Sequence, residues 1–223
     1  MEAKLFMVSL GAGDIDLVTI KALEVLKSVD VICVPTKSSD KSFSKSLTHK
    51  IVLKLMQKHK FEKELIPVYS PMRFNPEDWE EEASVVLRAC EDNKKVAFVT
   101  LGDAGIYSSV YYILDIIKEK NFELYEDCEV IPGITSFSDA SARIKKPLCL
   151  GDSALEIVPL LDYEVPKTKI FMRPKIGMET LNIKEEGKIY SFENLNFEGE
   201  KIYYKKIDRV KKYMTLFVDF FKG

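Results

Sequence analysis

Apolar runs and helical spacings alternate along the first half of the chain. Residues 4–10 form an apolar run rich in strand formers, and Leu17 to Leu26 then place apolar residues at roughly helical intervals. A second apolar run, residues 29–34, stops at Pro35. A strand, a helix and a strand in this order predict the opening of a parallel α/β sheet.

The alternation continues to about residue 144. It predicts helices over residues 47–59, 77–90, 107–118 and 136–144, and strands over residues 65–68, 96–101 and 128–131. The 96–101 run is almost wholly apolar, which is typical of a parallel strand covered on both faces. Residues 36–47 are rich in Ser and Lys and predict a loop.

Strand patterns dominate the second half of the chain. They predict strands over residues 156–158, 169–172, 188–192, 201–206 and 214–220, with little helix between them. We therefore expect an α/β protein of two α/β domains. Residues 1–120 should hold a mainly parallel sheet and residues 121–223 a mixed, partly antiparallel one, with the boundary near Lys120 and Asn121.

Composition narrows the functional classes. With 46% hydrophobic residues, the 223-residue chain can bury a core. The 33 Lys and Arg nearly balance 35 Asp and Glu, which argues against nucleic-acid binding through a broad cationic surface. The cysteines show no metal-binding or disulfide pattern, and no apolar run reaches the roughly 18 residues that suggest a membrane span. We expect a cytoplasmic protein without a protein-bound metal.

Three glycine-containing loops follow predicted strands, at residues 11–14, 102–108 and 132–136. Gly11 and Gly13 fit the start of a dinucleotide fingerprint, but Asp16 stands at the third glycine position. Asp103 follows a buried strand at the edge where open α/β sheets bind ligands. Plainer interpretations exist: a tight turn for the first loop, and helix capping by Asp103 and by the hydroxyls of the third loop. Together, the loops predict one crevice for a nucleotide-like ligand.

Taken as a set, these loops resemble the motifs of the tetrapyrrole methylases. SLGAGD is similar to the family's GxGPGD-like loop, GDAGIYS to its GDPxxYS signature, and PGITS to its PGITS signature. Their order and spacing match, and the similarity covers most of the chain. PGITSFS with the later GDSALEIVP, and YSPM followed by a Trp, are similar to the branch that methylates precorrin-2 or cobalt-factor II at C-20.

The resemblance implies the class III methyltransferase fold and a homodimer. S-adenosyl-L-methionine would bind in the cleft between the domains, with the tetrapyrrole on the side of the first domain. The implied reaction is in-line methyl transfer to an electron-rich meso carbon in cobalamin biosynthesis. That carbon must then lose a proton, so a base is useful.

Site residues are carried over by motif position. Those implied for the methyl donor are Ala12, Gly102, Asp103, Ile106, Thr135, Ser136, Met172, Glu193 and Asn194. Asp103 is also the candidate base or water-orienting group. The expected partners of the tetrapyrrole's carboxylates are Lys37, Lys45 and Arg73, with a solvated loop charge as an equal alternative for the two lysines.

The chain departs from the family at two loop prolines. Ala12 or Gly13 and Ala104 stand in their places, which should make the loops more flexible. Three alternatives stay open: a methylase of the same family acting at another ring carbon, a non-catalytic dinucleotide-binding module, and an interaction protein that keeps the fold without activity. Binding of NAD without binding of S-adenosylhomocysteine would favour the module.

Overall fold

A computed structural model of the chain describes residues 4–40, 42–44, 46–71, 73, 75–91, 94–151, 153–157, 167–172, 174–181, 183, 187–194 and 197–220. The chain divides into two compact units, Met1–Leu155 and Glu156–Gly223. This division falls later than the boundary expected near Lys120 and Asn121, because the strand at Glu129–Ile131 pairs with the first strand of the first sheet.

The first unit is a parallel α/β structure. Its elements are β1 (Lys4–Ser9), a 3₁₀ turn (Ile15–Leu17), α1 (Ile20–Ser28), β2 (Val31–Thr36), α2 (Leu47–His59), β3 (Glu64–Tyr69), α3 (Pro76–Ala89), β4 (Lys95–Thr100), α4 (Val110–Lys120), α5 (Phe122–Glu126), β5 (Glu129–Ile131) and α6 (Ser136–Ile144). The strands are all parallel, in the order β3-β2-β4-β1-β5. The expected fold class is confirmed.

Both faces of this sheet are buried. Leu5 and Met7 of β1 belong to a core that includes side chains of α3, α4 and α5. Phe6 and Val8 lie in a second core with α1 and α2. The residues of β4 divide between the same two cores, as its almost wholly apolar sequence predicts.

The second unit contains β6 (Lys169–Phe171), β7 (Lys188–Glu193), β8 (Lys201–Tyr203) and β9 (Thr215–Phe220). They form one sheet in the order β6-β9-β7-β8, and the pairings among the described residues are antiparallel rather than mixed. Residues 156 and 157, expected to begin a strand, have no strand structure, and residue 158 lies outside the described residues. Ile189, Val210 and Phe217 form a small core.

The carboxyl edge of the parallel sheet is where the predicted loops emerge. Helices α1 and α4 follow the neighbouring strands β1 and β4 but pack on opposite faces of the sheet. Such a divergence opens a crevice between the two loops at that edge. Across the part of the chain that the structure describes, no helix is long and apolar enough to cross a bilayer.

Candidate functional site

The loops after β1, β4 and β5 meet at this edge. Gly11 N–H donates to the Gly102 carbonyl at 3.1 Å, and Gly102 N–H donates to the Gly11 carbonyl at 2.8 Å. Gly133 lies so close that a Cβ added to it would be 2.6 Å from the Gly102 oxygen. Gly11, Gly102, Asp103 and Gly133 are called the glycine-loop cluster below. The convergence expected from three loops at strand ends is confirmed.

Asp103 links two of these loops through its carboxylate. Its Oδ1 accepts the Gly105 N–H at 2.8 Å and its Oδ2 accepts the Gly133 N–H at 2.7 Å. Helix α4 begins at Val110 with Ser109 at its N-cap, so the interpretation of Asp103 as a cap of that helix is wrong. Because each oxygen accepts a backbone N–H, Asp103 ties the second loop to the third.

Ser9, the last residue of β1, was not predicted from the sequence. It is fully buried, and its Oγ accepts the Ala104 N–H at 2.9 Å. A Cβ added to Gly133 would lie 2.6 Å from the Ser9 Cβ, so the packing requires glycine at position 133. The available signal was a serine near the end of an apolar strand that leads into a glycine loop.

The other residues of the first unit expected at the methyl donor lie in the same loops. Ala12 is half-buried, and Ile106 and Ser136 are exposed. Thr135 is the N-cap of α6, and its Oγ1 accepts the Ser138 N–H at 3.4 Å. The capping interpretation of the third loop's hydroxyls is therefore confirmed for Thr135, while donor contact stays a prediction.

Arg73 has the best-defined surroundings of the three predicted substrate cations. Its Nε and Nη2 donate to Oδ2 and Oδ1 of Asp78 at 3.0 and 2.8 Å. The hydrogen bond to Asp78 raises the pKa of Arg73, whose side chain is 61% exposed. Lys37 is exposed in the turn after β2, and Lys45 lies outside the described residues.

Helix α3 buries two carboxyl groups, Asp78 and Glu82, which were not predicted as site residues. They are four residues apart and therefore share a helix face. Glu82 is 2% exposed, its Oε2 accepts the Ser109 hydroxyl at 3.5 Å, and the Ser70 hydroxyl lies beside its carboxyl group. Burial raises the pKa of Glu82 to about 7. The signal was that acidic residues of the DWEEE run fall on the apolar face of an amphipathic helix.

The second unit holds the remaining predicted donor residues. Met172 lines a largely apolar pocket of about 490 Å³ together with Phe171, Met178 and Phe217. Asn194 has a positive φ of 51° and its Nδ2 donates to the Glu198 carbonyl at 3.1 Å, closing the turn after β7.

Glu193, at the end of β7, is buried. Its Oε2 accepts the Tyr203 hydroxyl at 3.1 Å, while its Oε1 has no hydrogen-bond partner among the described residues. Leaving a buried carboxylate oxygen without a partner is costly. Oε1 is thus an acceptor suited to an N–H or O–H of a ligand.

Comparison with known proteins relates these features to a family. Residues 4–183 match the model of the Tetrapyrrole (Corrin/Porphyrin) Methylases. This chain belongs to the tetrapyrrole methylase family. The resemblance drawn from the three glycine loops is confirmed.

Relatives of this tetrapyrrole methylase include a probable cobalt-precorrin-2 C(20)-methyltransferase of Methanocaldococcus jannaschii. It is 31% identical over 215 residues, 93% of this chain and 89% of the relative. A cobalt-precorrin-2 C(20)-methyltransferase of Salmonella typhimurium is 31% identical over 71% of this chain and 64% of its own. The structure of a Thermus thermophilus uroporphyrin-III C-methyltransferase complexed with S-adenyl homocysteine shares the fold, with a TM-score of 0.51, 17% identity and 96% coverage of both chains.

Each unit of this tetrapyrrole methylase offers groups that fit a nucleoside-type methyl donor. Cβ atoms added to Gly13 and Gly102 would meet nothing within 4 Å, so a ligand can approach the backbone closely there. In the second unit, the pocket beside Met172 suits an apolar or aromatic moiety, and Glu193 Oε1 suits a hydroxyl or amine. The residues present therefore fit S-adenosylmethionine.

The described residues contain no cluster of metal ligands, and three of the four cysteine thiols have raised pKa values. Among the described residues, no group of three or more His, Cys, Asp or Glu side chains is placed to hold a metal ion. Burial raises the pKa of the Cys33, Cys90 and Cys128 thiols to about 12. These thiols are unreactive at neutral pH. The lack of a protein-bound metal stays a prediction.

Proposed function

We propose that this tetrapyrrole methylase transfers a methyl group from S-adenosyl-L-methionine to C-20 of precorrin-2 or cobalt-factor II, a reaction of cobalamin biosynthesis. The observation that carries the proposal is the glycine-loop cluster, joined by Asp103 at the carboxyl edge of a parallel sheet. The choice of C-20 is supported by two C(20)-methyltransferase relatives, each 31% identical to this chain.

In this proposal, the glycine-loop cluster holds the donor side of the site. Bound S-adenosylmethionine would supply a methyl group already activated by a positive sulfonium. The chain has mainly to align the reactants and exclude water. Gly102 and Ala12 would present backbone groups, and Ile106, Thr135 and Ser136 would flank the donor.

Asp103 acts here as a positioning residue rather than as the base. Each oxygen of Asp103 accepts one backbone N–H group, and a carboxylate acting as a base would take up a proton on a remaining lone pair of one of these oxygens. Protonating either oxygen would weaken the link between the loops at Gly105 or Gly133. The same hydrogen bonds make Asp103 well suited to hold Gly102 and Gly133 at a fixed separation.

The tetrapyrrole's acid side chains would be bound by cations of the first unit. Arg73 is fixed on one side by Asp78 but keeps most of its side chain exposed, so it can pair with a substrate carboxylate. Lys37 and Lys45 would add positive charges. In the second unit, Met172 would contact the adenosine, and Glu193 and Asn194 the polar part of the donor.

The test is a methylation assay on the wild-type protein. Precorrin-2 and its cobalt complex are each incubated with S-adenosylmethionine carrying a ¹³C-labelled methyl group. The expected product gains one methyl group by mass and shows the label at C-20 by NMR. A label at another ring carbon would contradict the choice of C-20 and indicate a methylase of the same family that acts at that carbon. A melting temperature that rises with NAD but not with S-adenosylhomocysteine would contradict the proposed activity.

The homodimer and the cytoplasmic location stay predictions. Light scattering of the purified protein tests the first, and cell fractionation tests the second.

A further inference from the structure

Helix α3 meets α4 through polar as well as apolar side chains near the carboxyl edge. The carboxyl group of Glu82 lies beside two serines that belong to different loops, and its Oε2 accepts the Ser109 hydroxyl at 3.5 Å. Ser70 directly follows β3, and Ser109 directly precedes α4. One turn earlier on α3, Trp79 stacks on Tyr112 of α4 with ring centroids 3.9 Å apart. The first turns of α3 therefore contact both loops.

Ser109 precedes α4 with helical backbone angles, so its side chain is not in the usual geometry of an N-cap. It is the N-cap residue, yet within the described residues its side chain makes no capping hydrogen bond. Its Oγ instead donates to Glu82 Oε2 at 3.5 Å.

Ser70 ties the other loop in place. It is 5% exposed, and its N–H donates to the Thr36 carbonyl at the end of β2 at 2.8 Å. Three residues later, Arg73 forms its bidentate pair with Asp78 of α3. Arg73 is thus bound directly to α3 through Asp78, and Ser70 lies beside Glu82 of the same helix.

Burying Glu82 needs an explanation beyond packing. A buried carboxyl group loses its hydration, and an apolar side chain of similar size would fill the same space without this cost. Its neighbours Ala83 and Val86 belong to the apolar core. What Glu82 supplies and an apolar residue lacks is a pair of oxygens that join Ser70 to Ser109.

We propose that Glu82 is a positioning residue for methyl transfer. Through Ser70 it holds the segment that carries Arg73, and through Ser109 it holds the loop that carries Asp103. It touches neither reactant and acts through the two serines. This inference rests on the proposed function, because it assumes that Arg73 binds the tetrapyrrole and that the Asp103 loop binds the methyl donor.

The test compares alanine variants of all three members of this link. Glu82→Ala, Ser70→Ala and Ser109→Ala are assayed with precorrin-2 and S-adenosylmethionine, and kcat and KM are determined for each substrate. Glu82→Ala should lower kcat/KM for precorrin-2 about tenfold, within the range of coupling through a shared hydrogen-bond network. Ser70→Ala should mainly raise KM for precorrin-2, and Ser109→Ala should mainly lower kcat. Glu81→Ala, an exposed neighbour on the same helix, is the control and should change neither.

Two further measurements distinguish a positioning role of Glu82 from a purely structural one. They are the activity restored by a conservative substitution and the activity of a double variant. Glu82→Gln keeps both hydrogen-bonding atoms and should recover most of the activity that Glu82→Ala loses. Adding Ser109→Ala to Glu82→Ala should cost little more activity than Glu82→Ala alone. If Glu82→Ala does not fold, Glu82→Gln combined with each serine variant supplies the same comparison.

The contradicting results are distinct. Kinetic constants of the Glu82 and serine variants that equal those of the wild type, with only the melting temperature lowered, would overturn the positioning role and leave the proposed function intact. Fully additive losses would do the same. Failure of the wild-type protein to methylate precorrin-2 or its cobalt complex would overturn the proposed function and this inference together.

Discussion

The glycine-loop cluster and the α3–α4 interface each contain a carboxyl group, and the two are held in different ways. Asp103 is half-buried and accepts the backbone N–H groups of Gly105 and Gly133. Glu82 is buried between the hydroxyls of Ser70 and Ser109. Backbone N–H groups only donate, whereas hydroxyls both donate and accept. The first environment fixes the carboxylate between two loops, and the second can accommodate both protonation states.

The two carboxyl groups therefore have different proposed roles at the same edge of the sheet. Asp103 fixes the distance between two loops of the proposed donor site. Glu82 joins the proposed substrate segment to the donor loop and carries a pKa of about 7 because it is buried. Substitutions in the glycine-loop cluster should therefore act mainly by changing its geometry. The stability contributed by the α3–α4 interface should also depend on pH.

The largest expected effect is that of Gly133→Ala. The new Cβ would lie 2.6 Å from both the Gly102 oxygen and the Ser9 Cβ, so the third loop has to move away from the second. We expect the free energy of unfolding to fall by about 3 kcal/mol, as for severe overpacking, and S-adenosylhomocysteine binding to be lost. Urea unfolding and calorimetric titration measure the two effects. Gly151→Ala is the control, since its Cβ meets nothing within 4 Å and adds only backbone strain at φ +57°.

The next effect is the pH dependence caused by Glu82. Burial raises its pKa from 4.5 to about 7, so the folded protein holds this proton more tightly than the unfolded chain. Ionisation of Glu82 therefore lowers the free energy of unfolding. This loss is absent below the pKa of the unfolded chain, grows between the two pKa values and levels off above the folded pKa. At about 1.4 kcal/mol per pH unit between the two values, it approaches roughly 3 kcal/mol at alkaline pH.

Glu82→Gln removes this ionisation. Its free energy of unfolding relative to the wild type should therefore increase between pH 5 and pH 8 by up to roughly 3 kcal/mol. Urea unfolding at both pH values measures the change, with Glu119→Gln, an exposed residue of α4, as the control. A difference between Glu82→Gln and the wild type that does not change with pH would show that Glu82 is not ionised in this range.

A smaller effect is expected for Arg73→Ala. Loss of the guanidinium should raise KM for precorrin-2 about tenfold, equivalent to about 1.4 kcal/mol, and leave S-adenosylhomocysteine affinity unchanged. It also leaves the Asp78 charge without its bidentate partner, so the pKa of nearby Glu82 should rise further. Steady-state kinetics and the pH dependence of unfolding check both effects, with Arg88→Ala on α3 as control. An unchanged KM would remove Arg73 from the substrate site.

Much of the first unit could be predicted from the sequence. The apolar run in β4 and the helical spacings of α2 and α3 reflect burial within single elements, which local sequence encodes. The three glycine loops also predicted the sheet edge at which these loops converge. Burial of Glu82 and its bonds to Ser70 and Ser109 depend on the contact of α3 with α4, which no local pattern specifies.

The roles of individual residues were harder to predict for the same reason. The hydrogen bond between Asp103 and Gly133 joins residues that are distant in sequence, and it exists only because β1, β4 and β5 are neighbours in the sheet. The later division between the units has a similar cause, since β5 is too short to reveal its partner strand. In the second unit, short strands pair across loops, so strand direction could not be derived from periodicity.

The central claim is that Asp103 positions the loops and is not the base. Asp103→Asn keeps the side-chain size but replaces one acceptor oxygen with an N–H₂ group that faces a backbone N–H. Titrating this variant with S-adenosylhomocysteine by calorimetry, beside a single-turnover methylation assay, tests the claim most directly. The account predicts that donor affinity and rate fall together, each by about tenfold, the cost of one lost charged hydrogen bond. Unchanged affinity with a rate reduced about 100-fold, as expected when a general base is removed, would contradict it.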